Sequence, residues 1–267
     1  MEHITNYYSS YDEDGRLGYR WGQVEFLTTM RYINKYLEKN PHAQVLEIGA
    51  GTGRYSRTIA DLGYQVSAIE LVQHNIEIFK SQITSTQNIS VVQGNALDLS
   101  MFKDDTFDIT LVLGPMYHLY TDTDKQQAIS EALRVTKLGG VVFVAYCISD
   151  ASILEDALRN NLLMISGYMD KGQIDPSTFD TTSLPEDIFE MVRKDDIDRL
   201  MINFKVKRLH YVATDMISRF LRESIADMDD KTFDLYMQFH YAVCERPDMV
   251  GMTHHSLDVF CKLKFVL

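Results

Sequence analysis

The sequence predicts an α/β protein: a doubly wound, mainly parallel sheet of seven strands, with an N-terminal helical lid and a helical insertion after strand five. Three observations predict it. Between residues 44 and 148, short apolar runs alternate with segments of helical period, the pattern of a parallel sheet covered on both faces. The first run passes through the alternating glycines of "LEIGAGTG" directly into a helix-like stretch, which is the layout of a ligand-binding first crossover. Two further strand patterns, "VKRLHYVAT" and "LDVFCKLKFVL", come late in the chain, separated by helical sequence from about Asp215 to Arg246.

Taken in order, residues 1–22 are rich in tyrosine, aspartate and glycine and show no clear period. In "VEFLTTMRYINKYLEK", Phe26, Leu27, Met30, Ile33 and Leu37 fall on one face of an amphipathic helix, which Asn40-Pro41 ends. "QVLEIG" is the first strand, "RYSRTIADLG" a helix stopped at Gly63, and "YQVSAIEL" the second strand. "HNIEIFKSQI" is a helix, "ISVVQGNA" the third strand and "FDITLVLG" the fourth. "DTDKQQAISEALRVTK" is a helix with acids in its first turn and a lysine in its last, as the macrodipole prefers, closed by Gly139-Gly140. "VVFVAYCI" is the fifth strand. Four units are expected: a lid and cap helix over 1–40, a core over 41–150, a helical cover over 151–204, and the rest of the sheet with its own helical insertion over 205–267.

The 267 residues are 45% hydrophobic, enough to bury a core. No apolar run is long enough to span a bilayer, and the first residues lack the basic-then-apolar pattern of a secretory signal. Cys147, Cys244 and Cys261 show no CxxC spacing, which fits reduced thiols and a cytoplasmic location. The net charge of −12 disfavours nucleic acid and anionic membranes as partners and is compatible with a neutral or cationic small molecule. Neither the acceptor atom nor the oligomeric state leaves a signature in the sequence.

The glycine loop is the most informative stretch. A dinucleotide loop needs its third glycine three residues after the second, and Arg54 stands in that place. A P-loop would end in Gly-Lys-Ser/Thr, which is missing. Glu47, just ahead of the glycines, would repel a phosphate. The order acid-x-Gly-x-Gly-x-Gly resembles the first motif of class I S-adenosylmethionine-dependent methyltransferases. That cofactor carries no phosphate but an ammonium and a sulfonium, which an acid favours and which glycines let the backbone approach.

The resemblance covers roughly residues 40–148. It implies a Rossmann-like methyltransferase fold, S-adenosyl-L-methionine as cofactor and S-adenosyl-L-homocysteine as product. Glu47, Gly49, Ala50, Gly51 and Gly53 would form the loop. Glu70, ending the second strand, would take the ribose hydroxyls, with Leu71 beside it. Asn95, where the family commonly has an acid, would accept from the adenine amino group, and Ala96 would contribute backbone. Leu113 and Gly114 would contact the methionine part.

Tyr117 and His118, beyond the fourth strand, are the candidate catalytic residues, His118 as base because neutral imidazole accepts a proton near pH 7. They also face the acceptor, and Tyr146 on the fifth strand joins them as a substrate contact. Tyr7, Tyr8, Tyr11, Tyr19 and Trp21 form an aromatic cluster suited to cation–π contact, with Tyr11 and Trp21 the preferred acceptor contacts. His240, Tyr241, His254 and His255 invite a metal, but the two adjacent histidines and the lack of a helix-spaced His/Glu pair argue for none. The expectation is therefore methyl transfer to a small-molecule acceptor. The rivals are a nicotinamide-dependent oxidoreductase, which Arg54 disfavours, and a non-catalytic protein that keeps the cofactor fold.

Overall fold

A computed structural model describes residues 2–8, 13–159 and 163–264. Three helices, α1 (Glu2–Tyr8), α2 (Glu13–Gly18) and α3 (Arg20–Leu37), lead into β1 (Gln44–Ile48). Then follow α4 (Arg54–Asp61), β2 (Gln65–Glu70), α5 (Gln73–Gln82), β3 (Ile89–Gln93), β4 (Phe107–Val112), α6 (Asp122–Val135) and β5 (Thr136–Ile148). After β5 come α7 (Ser149–Arg159), α8 (Leu163–Asp170), the two-residue β6 (Met191–Val192), α9 (Lys194–Met201) and β7 (Val206–Ala213). Helices α10 (Arg222–Ala226) and α11 (Asp230–Val243) separate β7 from β8 (His255–Lys262).

The strands form one sheet in the order β3-β2-β1-β4-β5-β8-β7. Strands β1 to β5 run parallel, and β8 lies antiparallel between β5 and β7. This is the predicted mainly parallel, doubly wound sheet of seven strands. The short β6 adds an eighth, pairing only with the end of β5 through Cys147 and Met191.

Period-two alternation along β5 builds both faces. Val141, Phe143, Ala145 and Cys147 enter the core under α3 and α4, while Val142, Val144, Tyr146 and Ile148 enter the core under α6 and α9. Tyr146 is 3% exposed and points away from the face that α3 covers.

Two local expectations shift. Helix α6 ends at Val135, where the Thr136 hydroxyl donates to the Ala132 carbonyl, so Gly139-Gly140 lie within β5 rather than at a helix end. Gly140 is needed there, because a Cβ would fall 2.9 Å from the Asp108 carbonyl oxygen on the neighbouring strand. Helix α3 buries Met30, Ile33 and Leu37 as expected, but Leu27 is 36% exposed. Its buried face instead includes Glu25, Thr28 and Thr29, because part of this helix lines a cavity rather than a core.

Candidate active site

The strand order reverses between β1 and β4, and in open parallel sheets ligands bind at such a switch point beyond the carboxyl ends. A cavity of about 360 Å³ opens there. Gly49, Gly51 and Gly53 all hold positive φ, at 72°, 54° and 81°, a region other residues enter at a cost. At Gly49 a Cβ would sit 2.7 Å from the Pro115 ring, and at Gly53 2.2 Å from the Phe79 ring. The Gly49 and Ala50 amides both donate to the Ile69 carbonyl, tying the loop to β2. Gly53 does not line the cavity; it starts α4 and lets the helix close on Phe79.

Glu47, Gly49, Ala50, Gly51, Glu70, Leu71, Asn95, Ala96, Leu113 and Gly114 all line this cavity. Glu47 is buried and accepts from the Ser56 hydroxyl. Burial pushes its carboxyl up to about 8, a rise that the Ser56 bond only partly offsets. Glu70 accepts from the Gly51 amide at 2.8 Å and the Val72 amide at 2.9 Å. Burial nevertheless raises it above the ordinary carboxyl range. Two desolvated acids on one wall favour a ligand that brings positive charge and hydroxyl donors. An ammonium, a sulfonium and a ribose are such groups, so the donor set fits S-adenosylmethionine. Asn95 Oδ1 accepts from the Leu97 amide at 3.0 Å, which fixes its side chain within its own turn. Asp98 holds the next turn, accepting from the Ser100 amide.

His118 ends a short 3-10 helix, Pro115–His118, just past β4. Its Nδ1 lies 2.7 Å from the Ile188 carbonyl, which only accepts, so Nδ1 carries the hydrogen. Nε2 therefore carries the lone pair and accepts from the Tyr8 hydroxyl at 3.1 Å. Burial lowers the His118 pKa and keeps the ring neutral, against the opposing pull of Ile188. Ile188 also accepts from the Tyr120 hydroxyl at 2.7 Å and holds φ at 69°. That conformation is strained for a β-branched residue, and it aims one carbonyl at both side chains.

A second cavity of about 410 Å³ lies on the other side of Tyr117. Tyr8, Tyr117 and His255 line both. Trp21 lines the second cavity, as do Tyr7 and Tyr19, so α1 and the start of α3 supply the aromatic wall. Tyr11 lies outside the described residues. Tyr146 is not brought to either cavity: the alternation of β5 turns it to the opposite face, where it lines a third cavity with Val192 and Ile197. The expectation of a Tyr146 substrate contact is corrected accordingly, since Ala145 and Cys147 are the β5 residues that face the first two cavities.

Glu25 and Asp215, which no sequence motif marks, pair with His255, one of the histidines that invite a metal. Glu25, Asp215 and His255 meet behind Tyr117, with His255 Nδ1 2.8 Å from Asp215 and 3.5 Å from Glu25. Burial pushes His255 down, but the two carboxylates outweigh it and raise the imidazole to about 10. Asp215 falls well below the ordinary carboxylate range, the His255 charge overcoming burial. These ligand atoms lie within 4.8 Å of one another. Asp215 Oδ1, however, already accepts from the Thr253 hydroxyl and the His254 amide, and Oδ2 from His255. The cluster is a buried ion pair. Arg219 and Arg222 line the second cavity as well. Their only signal in the sequence was membership of a helical insertion.

Residues 46–144 match the family described as "Methyltransferase domain". Over 163 residues the chain is 26% identical to a 2-methyl-6-phytyl-1,4-hydroquinone methyltransferase of Synechocystis, covering 53% of this chain and 50% of that protein. A demethylmenaquinone methyltransferase of Renibacterium salmoninarum is 34% identical over 106 residues, 39% of this chain and 41% of that protein. The chain thus spans half or less of the length of these curated relatives. The N-methyltransferase NodS of Bradyrhizobium japonicum, solved with S-adenosyl-L-homocysteine, superposes with a TM-score of 0.59 at 12% identity, over 98% of this chain and 100% of that one. That likeness concerns the fold. Over residues 46–144, from β1 to β5, the chain is similar to that methyltransferase domain, a match that spans a little over a third of its length.

Proposed function

We propose that the chain moves a methyl group from S-adenosylmethionine to a small-molecule acceptor held in the second cavity, as a cytoplasmic enzyme. One observation carries this reading: Tyr8, Tyr117 and His255 form a wall common to a carboxylate-lined cavity and an aromatic one. Glu47 would meet the cofactor's ammonium and Glu70 its ribose hydroxyls. Asn95 and Ala96 would flank the adenine, and the backbone of Leu113 and Gly114 the methionine part. Bound there, the cofactor supplies a methyl already activated on sulfur, so the protein's task is to align and desolvate the acceptor.

An acceptor that must lose a proton would give it to the Tyr8 oxygen as the Tyr8 proton passes to His118 Nε2. The resulting imidazolium stays held by Ile188 through Nδ1–H. His118 thus acts behind Tyr8 rather than alone. The quinone and hydroquinone names of the curated relatives support a small ring-bearing acceptor. Unpaired Cys147, Cys244 and Cys261 are in keeping with a reducing compartment, and no helix among the described residues is long and apolar enough to cross a membrane.

The test is methyl transfer from radiolabelled cofactor to a low-molecular-weight cell extract. Wild type should label a small molecule. His118→Ala should lose on the order of a hundredfold in rate while binding S-adenosylhomocysteine as wild type does. Unchanged labelling by the variant would remove His118 from the chemistry.

A further inference from the structure

We propose that the acceptor is a flat aromatic molecule bearing an anionic oxygen group such as a carboxylate, which Arg219 and Arg222 hold in the second cavity. This rests on the reading that the second cavity takes the acceptor.

The charged side chains that line the two cavities are mostly of opposite sign. Among the described residues, the charged or basic side chains lining the second are Arg219, Arg222, His254 and His255, and no carboxylate lines it. The first is lined by Glu25, Glu47, Glu70 and Asp124, with Arg54 and three histidines. In a chain of net charge −12, a wall with only basic groups is not what composition alone would place there. The compensating acids stand behind the wall. Glu155 holds Arg222 at 2.6 Å, Arg219 at 3.1 Å and His254 at 2.9 Å, and Asp215 with Glu25 holds His255. Each basic group is therefore fixed from the rear. The two arginine side chains remain 33% and 32% exposed, and a guanidinium's planar fork of donors matches the geometry of a carboxylate.

The rest of the wall recognises a ring. Tyr19 and Trp21 stack with centroids 6.0 Å apart and planes within 6°. Tyr7 meets Phe189 edge-on at 5.6 Å. Arg222 itself lies 4.9 Å from the centre of the Trp21 ring, which joins the aromatic and the basic surface into one patch. A flat anion sliding along Trp21 reaches the guanidinium without leaving the aromatic wall. The acids of the first cavity would repel the same anion, so the charge pattern also fixes which end of the acceptor faces the cofactor.

Trp21 is the chain's single tryptophan, so its fluorescence reports on this cavity directly. The experiment titrates 4-hydroxybenzoate and the neutral 4-hydroxybenzamide into protein saturated with S-adenosylhomocysteine. The carboxylate should change Trp21 emission and bind at least tenfold tighter than the amide. Arg222→Lys should keep most of that preference. Arg219→Gln and Arg222→Gln, made together with Glu155→Gln to leave no bare buried charge, should bring the two probes within about twofold. Equal binding of the two probes by wild type, or no response to either, overturns the proposal. So does a preference that survives the triple variant. If S-adenosylhomocysteine fails to raise the melting temperature, the methyl-transfer reading fails instead, and the carboxylate preference is then read on the ligand-free protein.

Discussion

The two cavities that meet at Tyr117 are built by opposite strategies. The first is made mainly from the carboxyl ends of neighbouring parallel strands, with Glu47 in β1, Glu70 ending β2, Asn95 after β3 and Leu113 after β4, while Tyr8, Leu17 and Glu25 of the N-terminal helices close its other side. The second draws Tyr7 and Trp21 from the N-terminal helices, Phe189 from the loop before β6, Arg219 and Arg222 from around α10, and His254 from the entry to β8. The first is acidic and held by backbone; the second is aromatic and basic, and held by side chains that cross the sequence. A fixed cofactor site can be written once into local strand–loop geometry. An acceptor site is assembled from insertions, which change independently of the sheet.

The largest effect should come from cutting the backbone-held side. Glu70→Ala removes the proposed ribose contact and leaves the Gly51 and Val72 amides without their acceptor. Two charge-assisted hydrogen bonds at about 1.5–3 kcal/mol each put the loss at a hundredfold or more in affinity for S-adenosylhomocysteine by calorimetry. Arg222→Gln should leave that affinity unchanged. If both variants weaken it equally, the two cavities are not separate sites.

Next in size is the junction. Tyr8→Phe removes the hydroxyl on His118 Nε2 and should slow transfer by roughly tenfold or more, less than His118→Ala. If Tyr8→Phe turns over at the wild-type rate while His118→Ala does not, His118 meets the acceptor itself.

Electrostatics sharpens the contrast through pH. Glu47 sits near 8 without ligand and must ionise to meet an ammonium. Affinity for S-adenosylhomocysteine should therefore fall by up to tenfold per unit as pH drops below about 8, with proton release measurable in buffers of different ionisation heat. Because its folded pKa is raised, Glu47 contributes stability that is full below the ordinary carboxyl range and is lost as pH rises through about 8. Ligand-free Glu47→Gln should lose that part of the slope. A pH-independent affinity would place the ammonium elsewhere.

The legibility of the chain follows the same division. The strands from β1 to β5 and the glycine loop were readable because each is specified by neighbours within a few residues: apolar runs, turn glycines and a terminal acid. The resemblance puts Gly53 in the cofactor loop, yet it serves the packing of Phe79, a partner more than twenty residues away that spacing does not reveal. Tyr146 was misplaced because strand register decides its face, and one residue of shift exchanges the faces. His255 and Arg222 acquire meaning only through Asp215, Glu25 and Glu155, which fold to them from afar.

The smallest effect tests that register. The buried Tyr146 hydroxyl finds no hydrogen-bond partner among the described residues, so Tyr146→Phe should leave turnover intact. It should raise the melting temperature by a few degrees at most, from about 1 kcal/mol of relieved desolvation. A large loss of activity would return Tyr146 to the acceptor site.

The most direct measurement is the melting temperature with S-adenosylhomocysteine or NAD, in wild type and in Glu70→Ala. S-adenosylhomocysteine at a hundred times its dissociation constant adds about 2.7 kcal/mol, a rise of roughly 5–10 °C for a chain of this size. That rise is expected in wild type, with little or none in Glu70→Ala at the same concentration and none with NAD in either. A rise with NAD, or an S-adenosylhomocysteine effect indifferent to Glu70, would overturn the assignment of the first cavity to this cofactor.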